Sequence, residues 1–284
     1  MLLRAGLMKP TLALLFAAAA AVSAAAAPSL KQVWQTEATL KVPEGVLFDA
    51  TREVLYVSNI DGRQPWEKDG TGSIARVGLD GQVREVEWVK GLHAPKGLAL
   101  AKGRLYVADI DRIVIIDPER GEITATVPVP EAQRLNDVSA AADGTVYVTD
   151  SAAGRVYVLR HDKPALLSDA FKSPNGVLAT AEGLYVLDQE TLFKLPPQGE
   201  PVAVVKGLVG HVDGVEVAGP GAFIVSCWNG IIYHATTAGT VTTLLDTRQA
   251  EINAADIGYD AKRRIVYVPT FWKNRVVAYQ LGGD

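Results

Sequence analysis

A short strand-turn-strand unit recurs six times in this chain, and a repeat of fixed period limits the possible folds more than any composition value. Each copy has a small or turn-forming start, an apolar strand, a turn at Gly, Asp or Lys, and a second strand that is usually of Tyr-Val type. The copies read PEGVLFDATREVLYVSN from Pro43, PKGLALAKGRLYVAD from Pro95, LNDVSAAADGTVYVTD from Leu135, PNGVLATAEGLYVLD from Pro174, VDGVEVAGPGAFIVSC from Val212 and AADIGYDAKRRIVYVPT from Ala254. They recur about every 40 residues, which is the length of a four-stranded propeller blade.

Two more strands can be placed after each pair, for example SIARVGL and then VREVEWV in the first copy. The last copy ends after its third strand, RVVAYQL, whereas an extra strand-like piece, LKQVWQTEATL, precedes the first copy. The sequence therefore predicts an all-β, six-bladed β-propeller over residues 28–284. In this interpretation the N-terminal strand of the mature chain supplies the outer strand of the sixth blade and closes the ring.

Residues 1–27 differ from the repeats and predict a signal peptide. Arg4 and Lys9 precede an apolar run from Leu12 to Val22, which ends in small residues through Ala27. A membrane-spanning helix is the alternative, but the run is short and lacks a basic stop-transfer flank. No later segment is suited to spanning a bilayer. We therefore expect a periplasmic or secreted protein without a membrane span.

Charge and cysteine usage argue against a nucleic-acid-binding protein and against a protein held together by internal disulfides. The formal net charge is −4, and loss of Arg4 and Lys9 with the signal peptide makes it more negative, which argues against a nucleic-acid partner. Cys227 is the only cysteine, so no internal disulfide can form. We interpret this cysteine as a small buried apolar residue without a catalytic role.

The second residue of each copy lies at the entrance of an inner strand, beside the central channel, so the six equivalent positions form a ring. In chain order these lead residues are Glu44, Lys96, Asn136, Asn175, Asp213 and Ala255. Two carboxylates and two amide oxygens directed at one point suit a hard divalent cation, Ca²⁺ in the first place and Zn²⁺ or Mn²⁺ as alternatives. Each residue alone is also an ordinary turn residue. Their recurrence in one repeat column favours a metal site formed by Glu44, Asn136, Asn175 and Asp213.

The tripeptide and tetrapeptide motifs PEG, RLND, SPNG and VDG resemble those of the senescence-marker-protein/gluconolactonase family. This family includes regucalcin and is related to paraoxonase and diisopropylfluorophosphatase; the resemblance covers residues 43–280. It implies a divalent ion held at the channel mouth by Glu44, Asn136, Asn175 and Asp213. It also implies a general-base role for Asp213 in the hydrolysis of a lactone.

The same resemblance implies roles for two residues beside the ring. Arg134 stands two positions before Asn136, where gluconolactonases of the family place an arginine that contacts a sugar lactone; a solvated loop cation is the alternative. His211 has the corresponding position before Asp213, so it either donates to substrate and shuttles a proton or is a plain rim residue.

This sequence also departs from the family pattern. The blade-three motif reads NDV instead of NDG, the blade-one motif lacks an aromatic residue after EG, and Lys96 places an ammonium in the ring. Repulsion between an ammonium and a nearby dication amounts to several kcal/mol. We expect Lys96 to swing toward solvent or to stay with a lowered pKa and act as a base; replacement of the metal by Lys96 is the third possibility.

A second polar column ends the Tyr-Val strands. Its members are Asn59, Asp109, Asp150, Asp188, Cys227 and Thr270. We interpret this column as structural, with its carboxylates accepting hydrogen bonds from adjacent turns.

Two functions from different classes follow from these observations. The first is an exported, metal-dependent hydrolase of a small-molecule lactone or related ester, with Asp213, Lys96 and His211 as catalytic candidates and Arg134 and His211 as substrate-binding candidates. The alternative is a non-catalytic propeller that binds a peptide, glycan or protein partner and holds a structural ion or none.

Overall fold

The computed structural model describes residues 26–62 and 64–283. Most of the predicted signal peptide, residues 1–25, lies outside the described residues. The described part contains strands and two short 3-10 helices, at Arg248–Ala250 and Phe271–Lys273. None of its helices has the length and apolar character needed to cross a membrane.

The strands form six sheets of four antiparallel strands each. The first three blades follow the N-terminal strand β1 (Ser29–Gln35) and comprise β2 (Pro43–Asp49), β3 (Val54–Asn59), β4 (Gly72–Gly78) and β5 (Val83–Leu92); β6 (Pro95–Ala101), β7 (Arg104–Asp109), β8 (Arg112–Asp117) and β9 (Glu122–Pro128); and β10 (Leu135–Ala140), β11 (Val146–Asp150), β12 (Arg155–Arg160) and β13 (Lys163–Ser168). The last three comprise β14 (Pro174–Thr180), β15 (Gly183–Asp188), β16 (Thr191–Leu195) and β17 (Val202–Lys206); β18 (Val212–Gly219), β19 (Ala222–Cys227), β20 (Ile231–Thr236) and β21 (Val241–Asp246); and β22 (Gly258–Asp260), β23 (Ile265–Pro269) and β24 (Val276–Gly282) with β1.

The ring closes as the sequence predicts. Strand β1 pairs antiparallel with β24, with Leu30 opposite Leu281, and is the outermost strand of blade six. On the inner side, Val46 N–H donates to Asp256 O at 3.1 Å and Asp256 N–H donates to Glu44 O at 2.9 Å, which joins blades one and six. The six-bladed propeller is thereby confirmed.

The core lies between the blades. Middle strands such as β3 are buried along their whole length because neighbouring blades cover both faces, whereas the outer strand β9 has no fully buried residue. This explains why the middle strands read as continuous apolar runs. Cys227 belongs to one of these apolar clusters and is fully buried, which confirms its interpretation as a core residue.

The second polar column fixes the entrance of each inner strand. The Asp109 carboxylate accepts from the backbone N–H groups of His93 and Ala94, just before β6. Asp150 accepts from those of Gln133 and Arg134 before β10, and Asp188 from the two residues before β14. The structural interpretation of these carboxylates is confirmed. Their hydrogen bonds set the backbone position from which the lead residues project.

Candidate functional site

A cavity of about 1290 Å³ opens at one end of the channel, above the lead residues. The predicted site residues that line it are Glu44, Lys96, Asn136, Asn175, His211 and Asp213. The lead residue of blade six, Ala255, is packed instead in an apolar cluster. The repeat column thus brings the proposed ligands and Lys96 to one place, His211 lies beside them, and Arg134 is outside the cavity lining.

The two amide side chains are held through their nitrogen atoms. Asn136 Nδ2 donates to Ser151 Oγ at 2.9 Å, and Asn175 Nδ2 donates to Asp213 Oδ1 at 3.1 Å. The Asn175 Oδ1 atom is buried and has no hydrogen-bond partner. An unpartnered buried acceptor is costly, so this oxygen is positioned for a ligand that the protein itself does not supply.

Glu44 has a second unpartnered acceptor. Its carboxylate is 5% exposed, and its Oε2 atom makes no hydrogen bond. Its Oε1 atom lies 3.9 Å from the Lys96 Nζ atom, which is beyond hydrogen-bond range. Burial raises the pKa of Glu44 to about 7, although the Lys96 charge acts in the opposite direction. Lys96 therefore does not satisfy the Glu44 carboxylate.

The expectation that Lys96 swings toward solvent is wrong. Its side chain is 2% exposed, and its Nζ atom lies 4.2 Å from the centre of the Trp66 ring. Burial lowers the pKa of Lys96, partly offset by the charges of Glu44 and Asp213. The alternative prediction, a lysine that stays in the ring with a lowered pKa, agrees with this geometry. The aromatic face and the nearby carboxylates make the buried position tolerable for an ammonium.

Asp213 is the most enclosed carboxylate of the ring, with 2% exposure. Burial, and then the neighbouring carboxylates of Glu44 and Asp137, raise its pKa well above the ordinary aspartate value. One of its oxygens accepts from Asn175, as described above; no hydrogen bond to Oδ2 is present in the described part of the chain. That oxygen is available for a cation or for a proton.

Arg134 and His211 flank the ring at the rim. Both side chains are exposed. The Arg134 guanidinium lies 5.4 Å from the centre of the Trp66 ring, which lines the cavity. His211 lies in the cavity wall, with a positive φ of 60° and its backbone oxygen accepting from Trp228 N–H at 2.8 Å. Their positions agree with contact to a bound molecule.

Two buried carboxylates of the channel were missed by the sequence interpretation. Asp137 and Asp256 directly follow the lead residues of blades three and six, at 6% and 9% exposure. The equivalent residue in the other four blades is glycine, and a Cβ on Gly97 or Gly214 would lie only 2.3 or 2.5 Å from the Oδ1 of Asp137 or Asp256, respectively. The signal was in the repeat alignment, where LND and AAD carry an acid in a column that otherwise reads glycine.

The charge balance of the channel favours a cation. Four carboxylates there are almost fully buried, at Glu44, Asp137, Asp213 and Asp256, whereas Lys96 is the one almost fully buried cation among the described residues. Repulsion among these acids contributes to the raised pKa values of Asp213 and Asp256. A dication would relieve this repulsion and give the two unpartnered oxygens a partner. The residues present thus fit a hard divalent ion even with Lys96 in the ring.

The site does not have the form of a histidine- or carboxylate-only metal centre. Within residues 26–62 and 64–283, no group of three or more His, Cys, Asp and Glu side chains has a metal-binding arrangement. Half of the proposed ligands are amide oxygens, and such oxygens are ordinary Ca²⁺ ligands.

A family model described as the SMP-30/gluconolactonase/LRE-like region matches residues 42–270. The chain belongs to this family. Members generally use a divalent metal ion. The match includes the whole predicted ligand set, and the family resemblance inferred from the PEG, RLND, SPNG and VDG motifs is confirmed. A comparison with curated proteins finds no match.

Solved structures confirm the fold at low sequence identity. A gluconolactonase from Xanthomonas campestris is 16% identical, with 92% of this chain and 99% of that chain covered and a TM-score of 0.69. The PQQ-bound aldose sugar dehydrogenase from Streptomyces coelicolor is 15% identical over 90% of this chain and 99% of its own, with a TM-score of 0.67. Virginiamycin B lyase from Staphylococcus aureus is 13% identical over 90% and 100%, with a TM-score of 0.63. Because these proteins carry out different chemistry on one fold, the activity has to be argued from the site.

Proposed function

We propose that this protein is a metal-dependent hydrolase of a lactone or related ester. The observation that carries the proposal is the pair of buried, unpartnered acceptors, Glu44 Oε2 and Asn175 Oδ1, in a channel with excess negative charge. Family membership supports the hydrolase class. The unpartnered acceptors would also suit a structural ion in a non-catalytic propeller, so it is family membership that favours the hydrolase over that alternative.

Glu44, Asn136, Asn175 and Asp213 would hold the divalent ion, with Ca²⁺ as the preferred metal because all four offer oxygen. When bound, the ion supplies positive charge to polarise the substrate carbonyl. The hydrogen bonds from Asn136 to Ser151 and from Asn175 to Asp213 fix the two amides before any ligand arrives. Such preorganisation lowers the cost of assembling the site.

Asp213 takes the proton from the attacking water. Its Oδ1 atom accepts from Asn175, whereas its Oδ2 atom accepts no hydrogen bond within the described part of the chain and is open to take a proton. The water oxygen bonds to the carbonyl carbon, the bond from that carbon to the ring or alcohol oxygen breaks, and the leaving oxygen must receive a proton. We assign this donation to His211, which lines the cavity.

Lys96 and Arg134 act on the substrate oxygens. The Lys96 Nζ atom lies beside Glu44 in the cavity wall and offers an N–H donor to the carbonyl oxygen as negative charge develops there. The Arg134 guanidinium at the Trp66 ring offers a planar set of donors to an oxygen at the rim. Together they orient the carbonyl toward the water that Asp213 activates.

We also propose that the protein is exported to the periplasm or the medium. The support is the basic, apolar and small-residue order of residues 1–27. N-terminal sequencing of the protein from cell fractions tests this: a mature chain beginning near Pro28 outside the cytoplasm is expected, and an uncleaved cytoplasmic chain would contradict it.

A substrate screen tests the activity. Purified protein, stripped with EDTA, is assayed against δ-lactones, γ-lactones and aryl esters with added Ca²⁺, Zn²⁺ or Mn²⁺. We expect turnover that EDTA abolishes and a divalent ion restores. Turnover that survives EDTA, or no turnover with any metal, would contradict a metal-dependent hydrolase.

A further inference from the structure

The cavity above the ring has an apolar side that the ion chemistry does not use. Trp228, Phe271 and Trp272, here called the aromatic shelf, line it beside Val209. The Phe271 ring lies 5.6 Å from Trp228 and 4.8 Å from Trp272, at interplanar angles of 80° and 84°. These edge-to-face contacts join the three rings into one surface.

This surface differs from the other exposed apolar residues of the protein. Val33, Ile123, Leu166 and Val202 are exposed on the outer strands of four different blades, and Val217 is exposed on inner strand β18. By contrast, Val209, Trp228 and Trp272 are 51%, 37% and 46% exposed and share one cavity wall. Scattered single residues need no explanation, whereas an apolar group concentrated in a concavity marks a ligand site.

The shelf is held in place without a ligand. Trp228 N–H donates to His211 O, and Asn253 Nδ2 donates to Trp228 O, both at 2.8 Å. Phe271 is 4% exposed and has a φ of 49°, an unfavourable conformation for an aromatic residue. Strain of this kind persists where the surrounding structure enforces it, and it concentrates at functional sites. The backbone that carries these rings is therefore fixed without a bound molecule.

The aromatic residues of the cavity fall into two groups of different character. Trp66 has Lys96 at 4.2 Å and Arg134 at 5.4 Å from its ring centre. Among the described residues, no cation lies over the ring of Trp228 or Trp272 in this way. A molecule that contacts both groups has oxygen atoms near Trp66 and an apolar substituent at the shelf. The volume of about 1290 Å³ is ample for such a molecule.

We propose that the aromatic shelf binds the apolar alkyl or aryl substituent of the substrate, so that the enzyme prefers substituted lactones to polyhydroxylated sugar lactones. The inference rests on the proposed function for the location of the lactone carbonyl at the ring. The substituent extends from there across the cavity to Trp228 and Trp272. Both tryptophans are then residues that determine specificity.

Two lactones with the same ring test the preference. δ-Decalactone differs from δ-valerolactone by a pentyl chain, and glucono-δ-lactone serves as the polar comparison. We expect kcat/KM for δ-decalactone to exceed that for each of the others by about tenfold or more, because each buried methylene adds to binding. Trp228→Ala and Trp272→Ala should each reduce this preference by about fivefold, and Trp272→Phe should retain most of it. Leu166→Ala, an exposed apolar truncation on outer strand β13, is the matched control and should retain the full preference.

Binding of the corresponding lactams separates this inference from the proposed function. δ-Decanolactam and δ-valerolactam have the same shapes but resist hydrolysis, and calorimetry measures their affinities without turnover. Tighter binding of δ-decanolactam by the wild type, reduced in Trp228→Ala and Trp272→Ala, supports the shelf even where no lactone is hydrolysed. Equal affinities for the two lactams, or a preference that both tryptophan variants retain, would overturn the inference even where lactones are hydrolysed. A kcat/KM that is highest for glucono-δ-lactone would overturn it as well.

Discussion

Two columns of buried carboxylates run around this propeller, and they differ in how their oxygens are satisfied. At the ends of the second strands, Asp109 and Asp150 accept several backbone hydrogen bonds from the turns beside them. At the starts of the first strands, Glu44 retains an unpartnered oxygen and Asp213 is surrounded by other acids. The first arrangement stabilises the fold. In the second arrangement the carboxylates lack enough positive charge nearby to neutralise them. Acidic side chains thus serve structure in blades two and three and, as we propose, chemistry in blades one and five.

The largest expected effect comes from a charge removed at the ring. Asp213→Asn retains the shape of the side chain but removes one ligand charge and the base, so we expect lactone kcat/KM to fall by about 10³-fold. The metal-free protein should be at least as stable as the wild type near pH 7, because burial disfavours the Asp213 charge. Steady-state kinetics with Ca²⁺ and urea unfolding with EDTA measure both. A variant with full activity, or one that is less stable than the wild type in EDTA, would contradict the proposal that the lead-residue carboxylates serve catalysis and not stability.

The reciprocal change is made in the structural column. The Asp150 carboxylate accepts from the N–H groups of Gln133, Arg134, Ala152 and Ala153. Asp150→Ala leaves these donors without their partner, and we expect a loss of about 3 kcal/mol in the free energy of unfolding. Urea unfolding measures it, and a loss below about 1 kcal/mol would mean that water replaces the carboxylate and that this column is not structural.

Glu216 on β18 extends the comparison to pH. Burial, and then the Asp137 charge, raise the pKa of Glu216 to about 8. Since the folded state holds this proton more tightly than the unfolded state, the contribution of Glu216 to stability is largest below about pH 4.5 and falls as pH rises toward 8. Because Glu216 is partly exposed and solvent screens its charge, we expect Glu216→Gln to be only about 1–2 kcal/mol more stable than the wild type at pH 9 and nearly equal to it at pH 4.5. Urea unfolding with EDTA at both pH values checks this against the exposed control Glu200→Gln; equal effects of the two variants at pH 9 would contradict it.

The smallest expected effect concerns Lys96. Lys96→Met removes the ammonium beside Glu44 and retains most of the apolar stem, so Ca²⁺ affinity should rise by about tenfold. Lactone turnover should fall at saturating Ca²⁺, because an N–H donor to the carbonyl oxygen is lost. Calorimetry and kinetics measure the two effects. Weaker Ca²⁺ binding in the variant would show that Lys96 positions the ligands instead of competing with the ion.

The sequence predicts the fold well because each blade carries the same local sequence pattern. The Tyr-Val strands, the aspartates that end them and the unpaired strand in front of Pro43 are all local patterns, and β1 pairs with β24 as expected. The position of Lys96 is not a local property. Whether its ammonium reaches solvent or remains buried depends on Trp66, which comes from a loop of another blade and lies against it. The aromatic shelf likewise combines Trp228 of blade five with Phe271 of blade six, and no single repeat indicates their contact.

Asp137 and Asp256 illustrate a different limit. Their place in the glycine column was visible in the repeats, but the reason an acid is tolerated there lies in the neighbouring blades. The Oδ1 atom of each approaches the glycine of an adjacent blade at a distance that a Cβ would not allow. The positions of the Asp137 and Asp256 carboxylates therefore depend on packing between blades. The pattern within one repeat does not describe this packing.

Calorimetric titration of Ca²⁺ into EDTA-stripped protein tests the ring most directly. The wild type is compared with Glu44→Gln, which alters a ring carboxylate, and with Glu190→Gln, which alters an exposed acid in the same cavity wall. We expect one Ca²⁺ per wild-type chain, similar affinity in Glu190→Gln, and affinity reduced by about 100-fold or more in Glu44→Gln. Absence of Ca²⁺, Zn²⁺ and Mn²⁺ binding by the wild type, or equal affinity in Glu44→Gln, would contradict a metal site at the lead residues.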